Sequence, residues 1–269
     1  MTITFLSDFG LQDDFVGTCH GVIKRIAPGT DVIDITHGIE PQQFLQGALV
    51  LASTLPYMPE GVHLAVVDPG VGTDRKALAL RSGDGRLYVG PDNGLLLPAA
   101  ERFGGVTGAW ELDNPAYRLE PVSRTFHGRD LFAPAAAHLA AGVDPAELGP
   151  PLEPDALVRI DVPAATIGVG FVLAHVLIVD RFGNVQLNLT TDDLARLGIE
   201  PGTRVEVEIG LQRFYAYAAS TFADVRVGDV VLYEDAYGNV AIAINAGNAA
   251  EMLAARPGDT VTITVRARA

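Results

Sequence analysis

The sequence predicts an α/β N-terminal domain, a mostly parallel sheet flanked by helices, joined to an all-β, barrel-like C-terminal domain. Three observations lead there. Strand and helix signals alternate through the first half of the chain, the pattern of a sheet covered on both faces. In the second half helix signals nearly vanish, and short alternating strands follow one another with turn residues between them. Between the halves runs "GPPLEPDALVRIDVPAATIG", residues 149–168, rich in proline and irregular. The boundary is placed near residue 165, giving domains 1–165 and 166–269.

Taken in order, "ITFLSD" is a short apolar strand ending on Asp8. "DFVGTCHGVIKRIAPG" has helical spacing and stops at Pro28-Gly29, with Asp13 or Asp14 as the expected cap. "DVIDIT" is a strand, and "QQFLQGALVLASTLPYMPEG" a helix halted by Pro56 and Pro59. "VHLAVVD" and "LYVGPD" are strands, and "RDLFAPAAAHLAAG" an alanine-rich helix. In the second half "GFVLAHVLIVDRFGNVQLNLT", "TRVEVEIG", "RFYAYAAS", "DVVLYEDAYGNVAIAIN" and "DTVTITVRA" read as strands. "FGNV" at 182 and "YGNV" at 237 read as hairpin turns in which Gly-Asn supplies positive φ angles.

The 269 residues, 48% hydrophobic and 19% charged, suffice for a real core. A formal charge of -14 opposes nucleic-acid phosphates and anionic membrane surfaces, and it tolerates a cationic small molecule. A lone cysteine, Cys19, excludes an internal disulfide and a cysteine-based zinc cluster. The first residues carry no basic leader pattern, and no apolar run is long enough to span a bilayer as a helix. The expected setting is the cytoplasm, with a small-molecule substrate, no nucleic acid and no membrane.

In open parallel sheets ligands collect outside the carboxyl ends of the strands. Asp8, Asp68 and Asp92 stand at such ends, and His127 precedes the alanine-rich helix. Asp8 either caps the next helix or holds paired ligand hydroxyls, as a carboxylate does for a ribose. In "VVDPGVGTDR" the glycines and proline let Arg75 fold back on Asp68. The plain alternative is a structural ion pair. Asp92-Asn93-Gly94 reads first as a turn. His37, His63, His138 and His175 have no comparable setting. The aspartates also allow a hard divalent metal. Against it, no tight Asp-x-Asp or His-x-His pair occurs, and no phosphate-binding glycine loop or nucleophile elbow is present.

Seven segments in order, "TFLSDFG", "DVIDITHGI", "VVDPGVGT" followed by Arg75, "GPDNG", "FHGRD", "DRFGNV" and "IAINAGNAA", make the chain resemble the S-adenosyl-L-methionine (SAM) hydroxide adenosyltransferase family, adenosine-forming SAM hydrolases related to fluorinating and chlorinating enzymes. The resemblance covers essentially the whole chain. It implies that Asp68, Arg75 and His127 form an Asp-Arg-His set handling the attacking water. It further implies that Asp8 grips the ribose hydroxyls and that Phe182 and Asn184 hold the adenine. Phe222 would face the other side of the base, backbone near Ala246 would read its edge, and Asp180 would meet the methionine ammonium. It also implies a homotrimer with sites at subunit interfaces, no cofactor and no metal. Halogenating relatives carry tyrosine at the position of Asp68 and serine at that of Gly128, so the water-using chemistry is the consistent choice. A serine frequent in relatives before the late aromatic-Gly is Ala236 here, which removes a hydroxyl that could reach the methionine carboxylate. In the expected reaction water attacks C5′ in line with the sulfonium. Asp68 and His127 are the two candidates for the water's proton, with Asp68 favoured as orienter and His127 as acceptor. A non-catalytic SAM or adenosine sensor and a SAM-dependent halogenase are the alternatives.

Overall fold

In the computed structural model, which describes residues 1–265, the chain divides into two compact units, Met1–Ile160 and a second from Asp161 onward. The first is built on six strands: β1 (Thr2–Ser7), β2 (Val32–Thr36), β3 (Gly61–Val66), β4 (Ala77–Ser82), β5 (Leu87–Pro91) and β6 (Val106–Glu111). Their order is β2-β1-β3-β5-β4-β6. The β1–β2, β1–β3 and β3–β5 pairings are parallel, and β4 is antiparallel to both β5 and β6. The sheet is therefore mixed, more parallel than not. β4 and β6 were not among the strands read from sequence: "ALALRS" is as good a helix former as a strand, and "VTGAWE" is interrupted by glycine.

Both faces are covered. α1 (Phe15–Ile26) and α4 (Ala133–Ala140) bury Ile3, Phe5, Val62, Leu64 and Val89 on one side. α2 (Phe44–Thr54) and α3 (Leu97–Arg102) bury Leu6, Ala65, Leu80 and Tyr88 on the other. Successive strand residues thus face opposite layers, which is why β3 is buried along its whole length. α1 ends at Ile26 with Lys24 and Arg25 in its last turn, the favourable end of the helix dipole for cations. Asp14 occupies its N-cap but makes no capping bond to the backbone; its carboxylate accepts from Thr18 Oγ1 instead.

The second unit is a closed barrel. β7 (Thr166–Ile167), β8 (Phe171–Val179), β9 (Val185–Leu187), β10 (Arg204–Ile209), β11 (Gln212–Ala218), β12 (Val230–Glu234), β13 (Val240–Ile244) and β14 (Thr260–Val265) follow in sequence. Pairing runs β14-β10-β11-β12-β13-β9-β8, and β14 joins β8 to close the ring, with β7 added outside on β8. Closure leaves those seven strands without a free edge. Val172, Ala174 and Val176 alternate into its core beside Val205, Val207, Val261 and Ile263. Two short helices, α5 (Thr191–Arg196) and α6 (Ala249–Leu253), interrupt it. The strand expected over "DTVTITVRA" is β14, except that residues 266 and 267 lie outside the described residues. The two hairpin turns take positive φ only at Gly183 and Gly238, not at the following asparagines. None of the described helices is long and apolar enough to cross a membrane.

Candidate active site

Sheet register brings the first unit's polar residues to one edge. Ser7 pairs with Val66, so the chain leaves β1 through Asp8 beside the point where it leaves β3 towards Asp68. β4 runs against β5, with Ala77 opposite Pro91, so Arg75, just before β4, returns to that same carboxyl edge. His127 is fixed from another direction. It is the N-cap of a π-turn, Gly128–Phe132, that opens into α4. The buried Asp130 ties that turn to the preceding loop by accepting from Ser123 N (2.8 Å) and from both Nε and Nη2 of Arg129.

The three side chains meet on the guanidinium. Arg75 Nε donates to Asp68 Oδ1 (2.9 Å), Nη2 donates to Asp68 Oδ2, and Nη2 also reaches His127 Nδ1 at 2.9 Å. The Asp68 and Arg75 side chains are 7% and 10% accessible. The guanidinium also stacks on Phe132, 5.1 Å from the ring centroid. His127 and Phe132 are five residues apart, the repeat of a π-turn, so one widened turn supplies both contacts. Phe132 escaped the sequence reading; its i+5 spacing from His127 carries no signal unless the turn type is known.

Two glycines permit the close approach. Gly72 has φ +78°, and a Cβ there would stand 2.5 Å from the Arg124 carbonyl, in the loop leading to His127. A Cβ on Gly128 would lie 2.8 Å from the Phe9 ring.

Arginine only donates, so His127 Nδ1 accepts, and the neutral ring carries its proton on Nε2. Burial first, and then the Arg75 charge, push the His127 pKa below 6.5. The resting ring is therefore neutral and its Nδ1 lone pair already engaged. A proton passed to His127 Nδ1 would therefore have to displace the bond from Arg75. Asp8 shifts upward from 3.8, chiefly through burial, with the Asp68 carboxylate adding to it. Its Oδ2 accepts from Gln42 N at 2.9 Å. Asp92 is engaged by Val158 N, and Asn93 bonds the Val67 carbonyl. Asn93 thus closes the end of β3, while Asp92 ties this turn to the segment around Val158.

The second unit gathers its own predicted residues at the turns of the barrel. Asp180 Oδ1 accepts from Phe182 N and Asn184 N, each at 2.9 Å, and Oδ2 accepts from the Asn184 side chain at 2.7 Å. The carboxylate expected at a ligand ammonium thus also builds its own turn, leaving Phe182 71% exposed. Gly183 O accepts from Ala250 N, which fastens the turn to α6. Ala246, at φ +59°, lies between β13 and α6, and neighbouring Asn245 bonds the Val225 carbonyl just past Phe222. Phe222 packs on Tyr233 at 4.7 Å. The Tyr233 phenol is pushed up to about 12 by burial, with the Asp180 and Asp235 carboxylates adding to it. Tyr233 was not among the residues singled out from sequence, where it reads simply as a strand aromatic.

An α/β sheet with a charged cluster at its carboxyl edge, followed by a closed barrel, defines the class: a two-domain protein whose first domain gathers charged and imidazole side chains at one sheet edge. The chain belongs to the SAM hydroxide adenosyltransferase family, whose N-terminal domain model matches residues 3–149 and whose C-terminal domain model matches residues 174–262. It is 49% identical to an (R)-S-adenosyl-L-methionine hydrolase of Salinispora tropica over 262 residues, 97% of each chain. A protein of the same name from Thermus thermophilus is 40% identical over 279 residues, 97% of this chain and 98% of the relative. A fluorinase of an Actinoplanes species is 32% identical over 289 residues, 97% of each. A solved structure of an uncharacterized conserved protein from Thermotoga maritima superposes with TM-score 0.90 at 37% identity, covering 97% of this chain and 99% of that one.

Proposed function

We propose that this chain hydrolyses S-adenosyl-L-methionine to adenosine and L-methionine, with Asp68, Arg75 and His127 as the water-handling set. The observation that carries the reading is the junction of those three side chains on one guanidinium, at the sheet edge where Asp8 also emerges. The hydrolase names of relatives at 40–49% identity over nearly the whole chain support it.

The sulfonium supplies an electrophilic C5′ and a neutral thioether leaving group, so the chemistry calls for a positioned nucleophile rather than a Lewis acid or cofactor. Water oxygen attacks C5′, the C5′–S pair departs to sulfur, and the water's proton passes to a protein base. Arg75 spends Nε and Nη2 on Asp68 and His127; among the described residues Nη1 makes no hydrogen bond, leaving it for the attacking oxygen. Each Asp68 oxygen takes one of these donors and retains a lone pair for the water's hydrogen. With its Nδ1 occupied, His127 acts by holding the guanidinium, and Asp68 is the proton acceptor. Alignment along the C5′–S axis can contribute about 7–11 kcal/mol.

Asp8 grips the ribose hydroxyls. Phe182 and Phe222 stack on adenine, Asn184 hydrogen-bonds it, backbone near Ala246 reads its edge, and Asp180 meets the methionine ammonium. The active form is a cytoplasmic homotrimer with sites at subunit interfaces. The exposed Phe182 and Phe222 favour such covered sites, and the net charge of -14 suits a cationic substrate.

The experiment is incubation of SAM with the protein in ¹⁸O-water. Label in the adenosine 5′-hydroxyl, with turnover surviving a chelator, is the expected result. Unchanged SAM would leave a binding protein, and unlabelled adenosine would exclude attack by solvent. The fluorinase relative makes halogenation the second reading. Adding fluoride or chloride is expected to give no 5′-halo nucleoside, because the Asp68 carboxylate repels a halide.

A further inference from the structure

Behind the Asp8 loop lies a second cluster that the proposed reaction does not use. His20 on α1, Asp34 on β2 and His37 just past β2 each offer one ligand atom, and these atoms lie within 4.8 Å of one another. His20 Nε2 is 2.8 Å from Asp34 Oδ1, and His37 Nε2 is 3.2 Å from the same oxygen.

His37 is the telling member. It is 5% exposed, and its Nε2 is buried without a hydrogen-bond partner, because the 3.2 Å approach to Asp34 lacks hydrogen-bond alignment. The other ring nitrogen is occupied: Nδ1 lies 2.7 Å from Ser7 Oγ. In the tautomer whose Nδ1 donates to Ser7 Oγ, Nε2 presents a lone pair to the cluster. A metal-binding histidine usually donates its other ring N–H to a carboxylate, carbonyl or water, and the Ser7 hydroxyl oxygen can take that place here. The Phe5 ring, 4.7 Å from His37, walls the inner side. The His20 and Asp34 side chains, 32% and 39% accessible, leave the outer side open.

Metal–nitrogen and metal–oxygen bonds of about 2.0–2.1 Å place neighbouring ligand atoms about 2.9 Å apart in an octahedron and about 3.3 Å apart in a tetrahedron. The observed 2.8 and 3.2 Å separations fall near those edges. Two imidazoles and one carboxylate favour zinc-like divalent transition metals over magnesium or calcium.

We propose that His20, Asp34 and His37 form a binding site for a divalent transition-metal ion of the zinc class, with water completing its coordination. The site is structural and separate from Asp68, Arg75 and His127. It joins α1 to β2, and it reaches the Asp8 loop through His37, whose carbonyl accepts from Gly10 N and whose ring holds Ser7.

The test strips the full chain with a chelator and titrates it with Zn²⁺ alone by calorimetry, and with Co²⁺ by visible absorption. His20→Gln and Asp34→Asn stand at solvent-accessible positions, and His175→Gln is the control. One equivalent of Zn²⁺ is expected, weakened about 100-fold or more in either ligand variant and unchanged in the control. Zinc is also expected to raise the melting temperature of the parent and the control only. The proposal is overturned if the stripped parent takes up no zinc, or if Co²⁺ keeps the spectrum of its aqua ion. Equal affinity in the His20→Gln/Asp34→Asn double variant would overturn it as well.

Discussion

Replacing Arg75 by lysine keeps a positive charge and removes the fork. Arg75 makes two bonds to Asp68 and one to His127 from nitrogens held in one plane, over the Phe132 ring. A lysine ammonium is a single point and cannot serve both partners while retaining that stack. Two of the three bonds are therefore lost in a place about nine-tenths shielded from solvent. Charged hydrogen bonds contribute about 1.5–3 kcal/mol each, partly offset where the freed Asp68 and His127 atoms meet water, so a net loss of about 2–4 kcal/mol is expected. At about 2–4 °C per kcal/mol the melting temperature falls by about 4–16 °C. On turnover the change resembles removal of one donor aimed at the transition state, about 10²–10³-fold in kcat. KM changes by less than about threefold, because the proposed ribose contact of Asp8 is untouched. Adenosine release from SAM, followed by chromatography, gives the rates, and circular dichroism gives the melting curve. A lysine variant with more than half the parent kcat and an unshifted melting curve would refute the idea that the planar fork sets the geometry of the site.

Turnover is expected to fall on the acid side as His127 and Asp8 take up protons, read from a pH profile of kcat/KM. His127 must stay neutral to accept from Arg75, and in the proposed mechanism Asp8 must be ionised to hold the ribose. Their stability effects have opposite signs. The depressed His127 pKa contributes stability above 6.5 that is lost as pH falls below it towards the folded value. The raised Asp8 pKa destabilises the fold at neutral pH, and that cost is relieved as pH falls through the folded value towards 3.8. Denaturant melts of His127→Gln and Asp8→Asn at several pH values separate the two. Gly128→Ser is expected to lower stability by about 1–3 kcal/mol, because its Cβ must displace the Phe9 ring from 2.8 Å, and to yield no halogenated product. An unchanged melting point would show that Phe9 is free to move. Asp180→Ala removes three bonds that shape the Phe182 turn, so KM for SAM should rise about tenfold or more together with a loss of about 1 kcal/mol or more in stability. A KM rise at constant stability would instead assign Asp180 to substrate alone.

By itself the sequence determined the two-part architecture, the positions of most strands and helices, and the residues at the carboxyl ends of β1 and β3. Those features follow from hydrophobic period, proline and glycine, which act over a few residues and are visible in a single chain. Resemblance added the grouping of Asp68, Arg75 and His127; spacing alone left Asp68–Arg75 indistinguishable from a structural ion pair. Tertiary structure decided what each group faces. The antiparallel turn of β4, unread in "ALALRS", is what carries Arg75 back to the edge, and His127 joins it from 52 residues away. The engaged Nδ1 of His127, the turn-building bonds of Asp180, and the meeting of His20, Asp34 and His37 follow from sheet order and burial. Such contacts arise between segments that share no local pattern, so they appear only once the chain has closed on itself.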